Sequence, residues 1–257
     1  MLLTVDVGNS TTVVGVFDGD GLTHHWRMST VARRTPDELA TLLAGMLRLD
    51  GLRFGRAVEG LVVGSVVPQA TETLRELAAR YLEVEPIVVE PGVRTGISLR
   101  HDNPRDLGAD RIANAVAAQA LYGGPAIVVD FGTAISFDVV DRDGSFIGGA
   151  IAPGVSTSKD ALVEHAARLP TVETVAPPSP IGRSTVTALQ SGVVFGFAGL
   201  VDGIVTRITE ELGPGVTAVA TGGLASSVLQ ACRTLDHHDP WLTLKGLRLV
   251  WERNLEP

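Results

Sequence analysis

Two copies of one short pattern carry residue types suited to phosphates. Asp6-Val-Gly-Asn-Ser10 and Asp130-Phe-Gly-Thr-Ala134 each place a carboxylate two positions before a glycine, with an amide or hydroxyl directly after it. Glycine lets backbone N–H groups approach a phosphate closely. Asn9, Ser10, Thr11 and Thr133 add donors, and Asp6 and Asp130 can hold a cation, or a metal's water ligands, beside phosphates that would otherwise repel them. One such tetrapeptide is an ordinary turn; the second copy, at the equivalent place of a repeat, gives the pattern its weight. A third stretch, Ala220-Thr-Gly-Gly-Leu-Ala225, reads either as a βα turn or as a floor for adenosine.

A separate cluster, Leu107-Gly-Ala-Asp-Arg-Ile112, sits near a helix start. One reading is structural: a first-turn acid and a surface ion pair. The other is chemical: Asp110 accepts a proton from a substrate hydroxyl, and Arg111 binds a substrate carboxylate through its planar fork.

The elements that must position these residues form an internal repeat. Residues 2–29 and 126–151 both run as an apolar stretch ending in Asp, a β-branched stretch, an Asp-Gly turn and a third strand-like stretch. Helices and strands alternate afterwards. Thr35-Pro-Asp-Glu38 is a capping box with Pro at the first helical position, followed by Leu39, Leu42, Leu43, Met46 and Leu47 at helical spacing. Strands are expected at 61–67, 87–90 and 216–220, and helices from Pro68, from Asn103-Pro104 to about Tyr122, over 158–169, 185–212 and 224–233, and from Leu244. Each half therefore reads β-β-β-α-β-α-β-α, with a nucleotide held between the two.

The chain has 257 residues and a net charge of −8, which disfavours phosphate-tracking surfaces for nucleic acid. Cys232 is the single cysteine, so an intrachain disulfide and a Cys-rich zinc site are excluded. The start lacks a basic n-region, and Val193 to Val205 is short and mixed for a membrane span. The expectation is a cytoplasmic protein with no membrane and no nucleic-acid partner.

Taken in order, DVGNS at 6–10, GADR at 108–111, DFGTA at 130–134, GGAIAPGV at 148–155 and ATGGLA at 220–225 resemble the type III pantothenate kinases, of the acetate kinase, sugar kinase, Hsp70 and actin superfamily. The resemblance spans essentially the whole chain. It implies an α/β fold of two duplicated ribonuclease-H-like domains, 1–121 and 122–257, with the active site in the cleft between them. It implies a homodimer with pantothenate near the dimer interface, and ATP-dependent phosphorylation of the pantothenate primary hydroxyl, the first step towards coenzyme A.

The resemblance also implies roles. Asp6, Val7, Gly8, Asn9, Ser10, Thr11, Thr12 and Val13 match the first phosphate motif, with Asp6 near the Mg²⁺–phosphate cluster, and Thr133 matches an ATP contact. Gly108, Ala109, Asp110 and Arg111 match the pantothenate segment, with Asp110 as proton acceptor. Thr185, within Gly182-Arg-Ser-Thr185, matches a pantothenate contact. Asp130 matches the ligand of an activating monovalent cation, potassium or ammonium. Ser10 stands where the family more often has Thr, and the hydroxyl is kept.

Other patterns carry less. Asp130-Phe-Gly132 is not the protein-kinase D-F-G, since no Gly-rich loop, strand Lys or H-R-D precedes it, and no P-loop sequence is present. His24-His25 and His237-His238 read as solvated pairs, and Cys232 as a packed small hydrophobe. The glycines of 192–203 suit either a dimer seam or a buried helix. Three classes stand: a pantothenate kinase, a related phosphotransferase or phosphatase, and a non-catalytic regulator resembling Bvg accessory factor. The intact Asp6, Asp110, Arg111, Asp130 and Thr133 favour an enzyme, and GADR favours pantothenate.

Overall fold

The computed structural model describes residues 1–55, 57–166, 169–223 and 226–255. Two compact units emerge. Met1–Ala117 and Leu242–Pro257 form the first, and Ala118–Trp241 the second.

In the first unit, β1 (Leu2–Val7), β2 (Thr11–Asp18) and β3 (Gly21–Ser29) form an antiparallel meander, and β4 (Gly60–Ser65) and β5 (Ile87–Val88) extend it in parallel beyond β1, giving the order β3-β2-β1-β4-β5. Parallel strands need crossovers, which α1 (Pro36–Leu49) and α2 (Pro68–Leu77) supply. The capping box of α1 forms as its sequence dictates: Glu38 N–H donates to Thr35 Oγ1 at 3.3 Å and Thr35 N–H to Glu38 Oε2 at 2.9 Å. Alternation along β1 puts Leu3, Val5 and Val7 in a core with Leu43 and Leu47 of α1 and Leu74 and Leu77 of α2.

The opposite face takes α7 (Leu242–Leu255), which packs on β1, β2 and β4. Close approach is possible because the contact positions lack side chains: a Cβ at Gly15 would meet Leu244, one at Gly60 would meet Trp251, and one at Gly64 would meet Leu247. The division at 121/122 that the resemblance implies puts this tail with the second half. The helix instead packs against the first sheet, because that sheet's second apolar face needs a cover.

In the second unit, β6 (Ala126–Phe131), β7 (Ala134–Val140) and β8 (Phe146–Pro153) repeat the meander, and β9 (Thr217–Gly222) and β10 (His237–His238) add in parallel, giving β10-β9-β6-β7-β8. The duplication is visible residue by residue, since β1 and β6 share one burial pattern, buried at every position but the fifth, where Asp6 and Asp130 are half-buried. Between β8 and β9 lie two helices, α4 (Val155–His165) and α5 (Thr185–Leu212), at the stretches read as helical at 158–169 and 185–212, so this half has one helix more than the β-β-β-α-β-α-β-α order allots there. The helix read at 224–233 is only α6 (Ser226–Leu229), and Leu224 and Ala225 lie outside the described residues, as do Ala167 and Arg168 at the end of the 158–169 segment. His237 and His238 are exposed, as their solvated reading requires.

The 28-residue α5 is longer than the short mixed span read at 193–205, and by length and composition it is apolar enough to cross a membrane. Its Val193, Ala198, Val201 and Val205 close the second core against Ile127, Val129 and Phe137. The opposite face, with Gly192, Phe195, Gly196 and Gly199, is exposed, so the glycines do not lie in a buried seam of this unit.

Candidate active site

The β1–β2 turn is built by its own backbone and held by a residue the sequence reading passed over. Gly8 N–H donates to Thr11 O at 3.0 Å, closing the turn. Thr30, just past β3, donates its hydroxyl to Gly8 O at 2.8 Å, its N–H to Ser10 O at 3.0 Å, and meets Thr12 Oγ1 at 2.8 Å. A hydroxyl has one proton, so Thr12 must be the donor to Thr30. Within 6–13, Asn9, Ser10 and Thr11 are exposed, while Val7 and Thr12 are buried, so Val7 and Thr12 shape the turn from beneath. Position 30 carries no motif signal; only its place across the sheet reveals it.

Asp6 shares its sheet face with Leu2 and Thr4. In register with Asp6 on β4 is Gly64, and the Ala109 methyl lies 3.6 Å from where a Gly64 Cβ would be. Val66 N–H donates to Val7 O at 3.0 Å. The C-terminal ends of β1 and β4 and the start of α3 (Ala109–Tyr122) therefore converge, which gathers Asp6 and Gly108–Asp110 at one end of the first sheet. The 103–122 helix read from sequence is a single turn at Pro104–Asp106 followed by α3, which puts Asp110 in the first turn of the main helix. Asp110 Oδ1 accepts the Arg111 N–H at 2.9 Å, one of the N–H groups a helix start leaves without an intrahelical partner.

Beside this convergence, within the first unit, lies a cleft of about 1000 Å³. Val66, Val89, Val93, Ile97 and Leu107 give it apolar walls, Gln69 and Asn103 add polar groups, and Gly108 and Ala109 reach it directly. Asp110 and Arg111 are not among the residues that line it. The wall from 91 to 99 is irregular, so no hydrophobic period pointed to it.

In the second unit, Asp130 and Thr133 lie on the β6–β7 hairpin, in register with Ser136 and next to the turn respectively. The turn is held from the β8–α4 junction: Thr133 O accepts Gly154 N–H at 3.1 Å and Thr157 Oγ1–H at 2.8 Å. Thr133 itself is exposed. On the other side Asp130 is in register with Thr221 of β9, whose hydroxyl is buried without a hydrogen-bond partner in the protein. The sequence reading passed over Thr221 because threonine within a β-branched strand carries no signal of its own. Thr185 is exposed in the first turn of α5, after the Ser184 cap that accepts Thr187 N–H at 3.2 Å, and so stands on a different element from the Asp130–Thr133 hairpin. Among the described residues, no group of three or more His, Cys, Asp or Glu side chains is placed to hold a metal.

Comparison with known proteins agrees along the whole chain. The profile of the type III pantothenate kinase family matches residues 2–207. A type III pantothenate kinase of Streptomyces griseus is 53% identical over 262 residues, covering 99% of each chain. Among solved structures, a protein of Campylobacter jejuni assigned to the Baf family of transcriptional activators aligns with a TM-score of 0.63 at 20% identity over 99% of this chain and 100% of its own. A ROK hexokinase of Thermus thermophilus aligns at 0.54 and 17% over 97% of each, and these two likenesses speak for the shared kinase fold alone. An Asp-x-Gly turn repeated in two sheets, an Asp at a helix start beside a cleft, and identity of this extent lead to one conclusion: the chain belongs to the type III pantothenate kinase family.

Proposed function

We propose that this chain transfers the γ-phosphoryl group of ATP to the primary hydroxyl of pantothenate, with Asp110 as the proton acceptor. The observation that carries the assignment of Asp110 is its place: in the first turn of α3, directly after Gly108 and Ala109, which line the cleft, with Ala109 lying over Gly64, the β4 residue in register with Asp6. A primary alcohol is a poor nucleophile, and phosphoryl transfer depends chiefly on positioning and charge neutralisation. Pantothenate lies in the cleft of the first unit, close to the backbone of Gly108 and Ala109 that line it, with its primary hydroxyl and its carboxylate reaching past them to Asp110, which aligns the hydroxyl and takes its proton, and to Arg111, which holds the carboxylate. Thr185 is a further pantothenate contact in this reading. Backbone N–H groups of the 6–13 turn, with Asn9, Ser10 and Thr11, bind phosphate oxygens, and Thr133 contacts the nucleotide.

Asp6, half-buried near the end of β1 and next to the 8–11 turn, would hold a magnesium ion brought in with the triphosphate, directly or through water, and the ion would offset phosphate charge. The unpartnered Thr221 hydroxyl beside Asp130 fits a monovalent cation, potassium or ammonium, held by oxygen ligands. The exposed α5 face around Phe195 is our proposed contact with a second copy of the chain, making a homodimer. The compartment we propose is the cytoplasm, where ATP is made and used.

The test is an ADP-release assay over a panel of small alcohols and hydroxy acids, run with and without K⁺. Turnover confined to pantothenate is the expected result; turnover with another acceptor and none with pantothenate overturns the reading.

A further inference from the structure

The cleft wall at 91–98 is irregular, with a single bridge residue at Leu99, and its backbone from 94 to 96 is held by the last turn of α7. The Asn254 side chain pairs with the Arg94 backbone in both directions: Arg94 N–H donates to Asn254 Oδ1 at 3.1 Å, and Asn254 Nδ2–H donates to Arg94 O at 2.9 Å. The second Nδ2 proton goes to Val250 O at 2.7 Å, which ties the amide to its own helix. Next to it, the Arg253 guanidinium donates to Thr95 O. The Arg253 side chain lies against Gly96, whose φ of +72° and lack of Cβ leave the room it needs. Three consecutive backbone positions, 94 to 96, are thus pinned by two consecutive residues of α7. Val93, Thr95 and Ile97, whose side chains line the cleft, are carried on that pinned stretch.

We infer that Arg253 and Asn254 are positioning residues for the acceptor cleft, acting through the backbone of Arg94, Thr95 and Gly96. The inference rests on the reading that this cleft receives pantothenate. Both residues lie beyond position 207, where the family profile ends, so the match itself assigns them nothing. Without the pins, the wall must be ordered when the substrate enters, and that cost falls on acceptor binding. In this reading the nucleotide is held by the 6–13 turn and Thr133 and the proton is taken by Asp110, so neither ATP binding nor the transfer step uses this wall.

The test is steady-state kinetics on Asn254→Ala and Asn254→Asp, with thermal melts and with Ile97→Glu as a control on the cleft itself. Asn254→Ala raises the pantothenate KM roughly three- to tenfold, with kcat and the ATP KM within about twofold of wild type. Asn254→Asp keeps the acceptor for Arg94 N–H and loses the donor to Arg94 O, so its KM falls between the two. Should Asn254→Ala not fold, Asn254→Asp carries the same comparison against wild type. A pantothenate KM that rises for Ile97→Glu but stays at the wild-type value for both Asn254 variants overturns the inference and leaves the cleft reading standing. A wild-type KM for a folded Ile97→Glu removes the cleft reading, and the inference with it. A joint loss of kcat, both KM values and melting temperature in the Asn254 variants reduces Asn254 to a structural role.

Discussion

Gly108 and Asp110 occupy one another's space: a Cβ at position 108 would overlap Asp110 Oδ1, the oxygen that accepts the Arg111 N–H. The glycine is required by the carboxylate two residues on, since its backbone φ is not in the left-handed region. Gly108→Ala should therefore turn Asp110 out of place and lower kcat by about tenfold or more while the protein stays folded. Asp110→Asn should cost about 10²–10⁴-fold in kcat, with the ATP KM little changed. Full turnover by folded Asp110→Asn would remove Asp110 from the proton-accepting role, and full turnover by Gly108→Ala would show that the carboxylate can act from another rotamer.

Arg111→Lys should chiefly raise the KM for pantothenate, because a point charge does not replace a planar fork on a carboxylate. Reduced ATP affinity at an unchanged pantothenate KM would mean that Arg111 serves the nucleotide.

Thr221→Val separates a cation site from a plain buried hydroxyl. The hydroxyl has no protein partner, so removing it should leave thermal stability near wild type. If Asp130 and Thr221 hold potassium or ammonium, Thr221→Val weakens the response to KCl, and Asp130→Ala abolishes it, at constant ionic strength. Equal wild-type rates in KCl and NaCl would sink the idea.

Cys232 should be inert in the native state. Burial, helped by the nearby Asp202 charge, pushes its thiol up to about 12. At pH 8 the thiolate is then only about one part in ten thousand, and the thiolate is the reactive form. Iodoacetamide at pH 8 should label the protein only after unfolding in urea; rapid labelling of the folded protein would contradict the burial of Cys232.

Leu247→Ala tests the docking of α7 on the first sheet. Leu247 is fully buried and lies against Gly64. Its truncation should cost about 2–5 kcal/mol in urea unfolding. A loss under about 0.5 kcal/mol would mean that α7 is not held there.

Much of the local structure was legible because it depends on neighbours in sequence. The Thr35–Glu38 box closes between residues three apart, the Asp-Gly turns join adjacent strands, and the α5 limits at Thr185 and Leu212 follow from Ser184 before it and Gly213 after it. The repeat put Asp6 and Asp130 at equivalent places, and the shared burial pattern of β1 and β6 reproduces that in the two sheets. The two Asp-x-Gly turns and the 108–111 segment, to which we assign the nucleotide and the acceptor, were legible as residue types at short spacings.

What the sequence by itself determined, then, is which faces are apolar, where the turns fall and which side chains are chemically able to act. Only the tertiary structure decided what covers those faces and what holds the loops. Periodicity shows that the first sheet has a second face to bury, yet says nothing of α7 arriving from the far end of the chain to bury it. Thr30 fastens Gly8 from 22 residues away, and Asn254 fastens Arg94 from 160 away. Such partners are chosen by chain topology and by close approach at side-chain-free positions such as Gly60 and Gly64. No local pattern encodes them, because the energy of these contacts exists only once the distant segments have met.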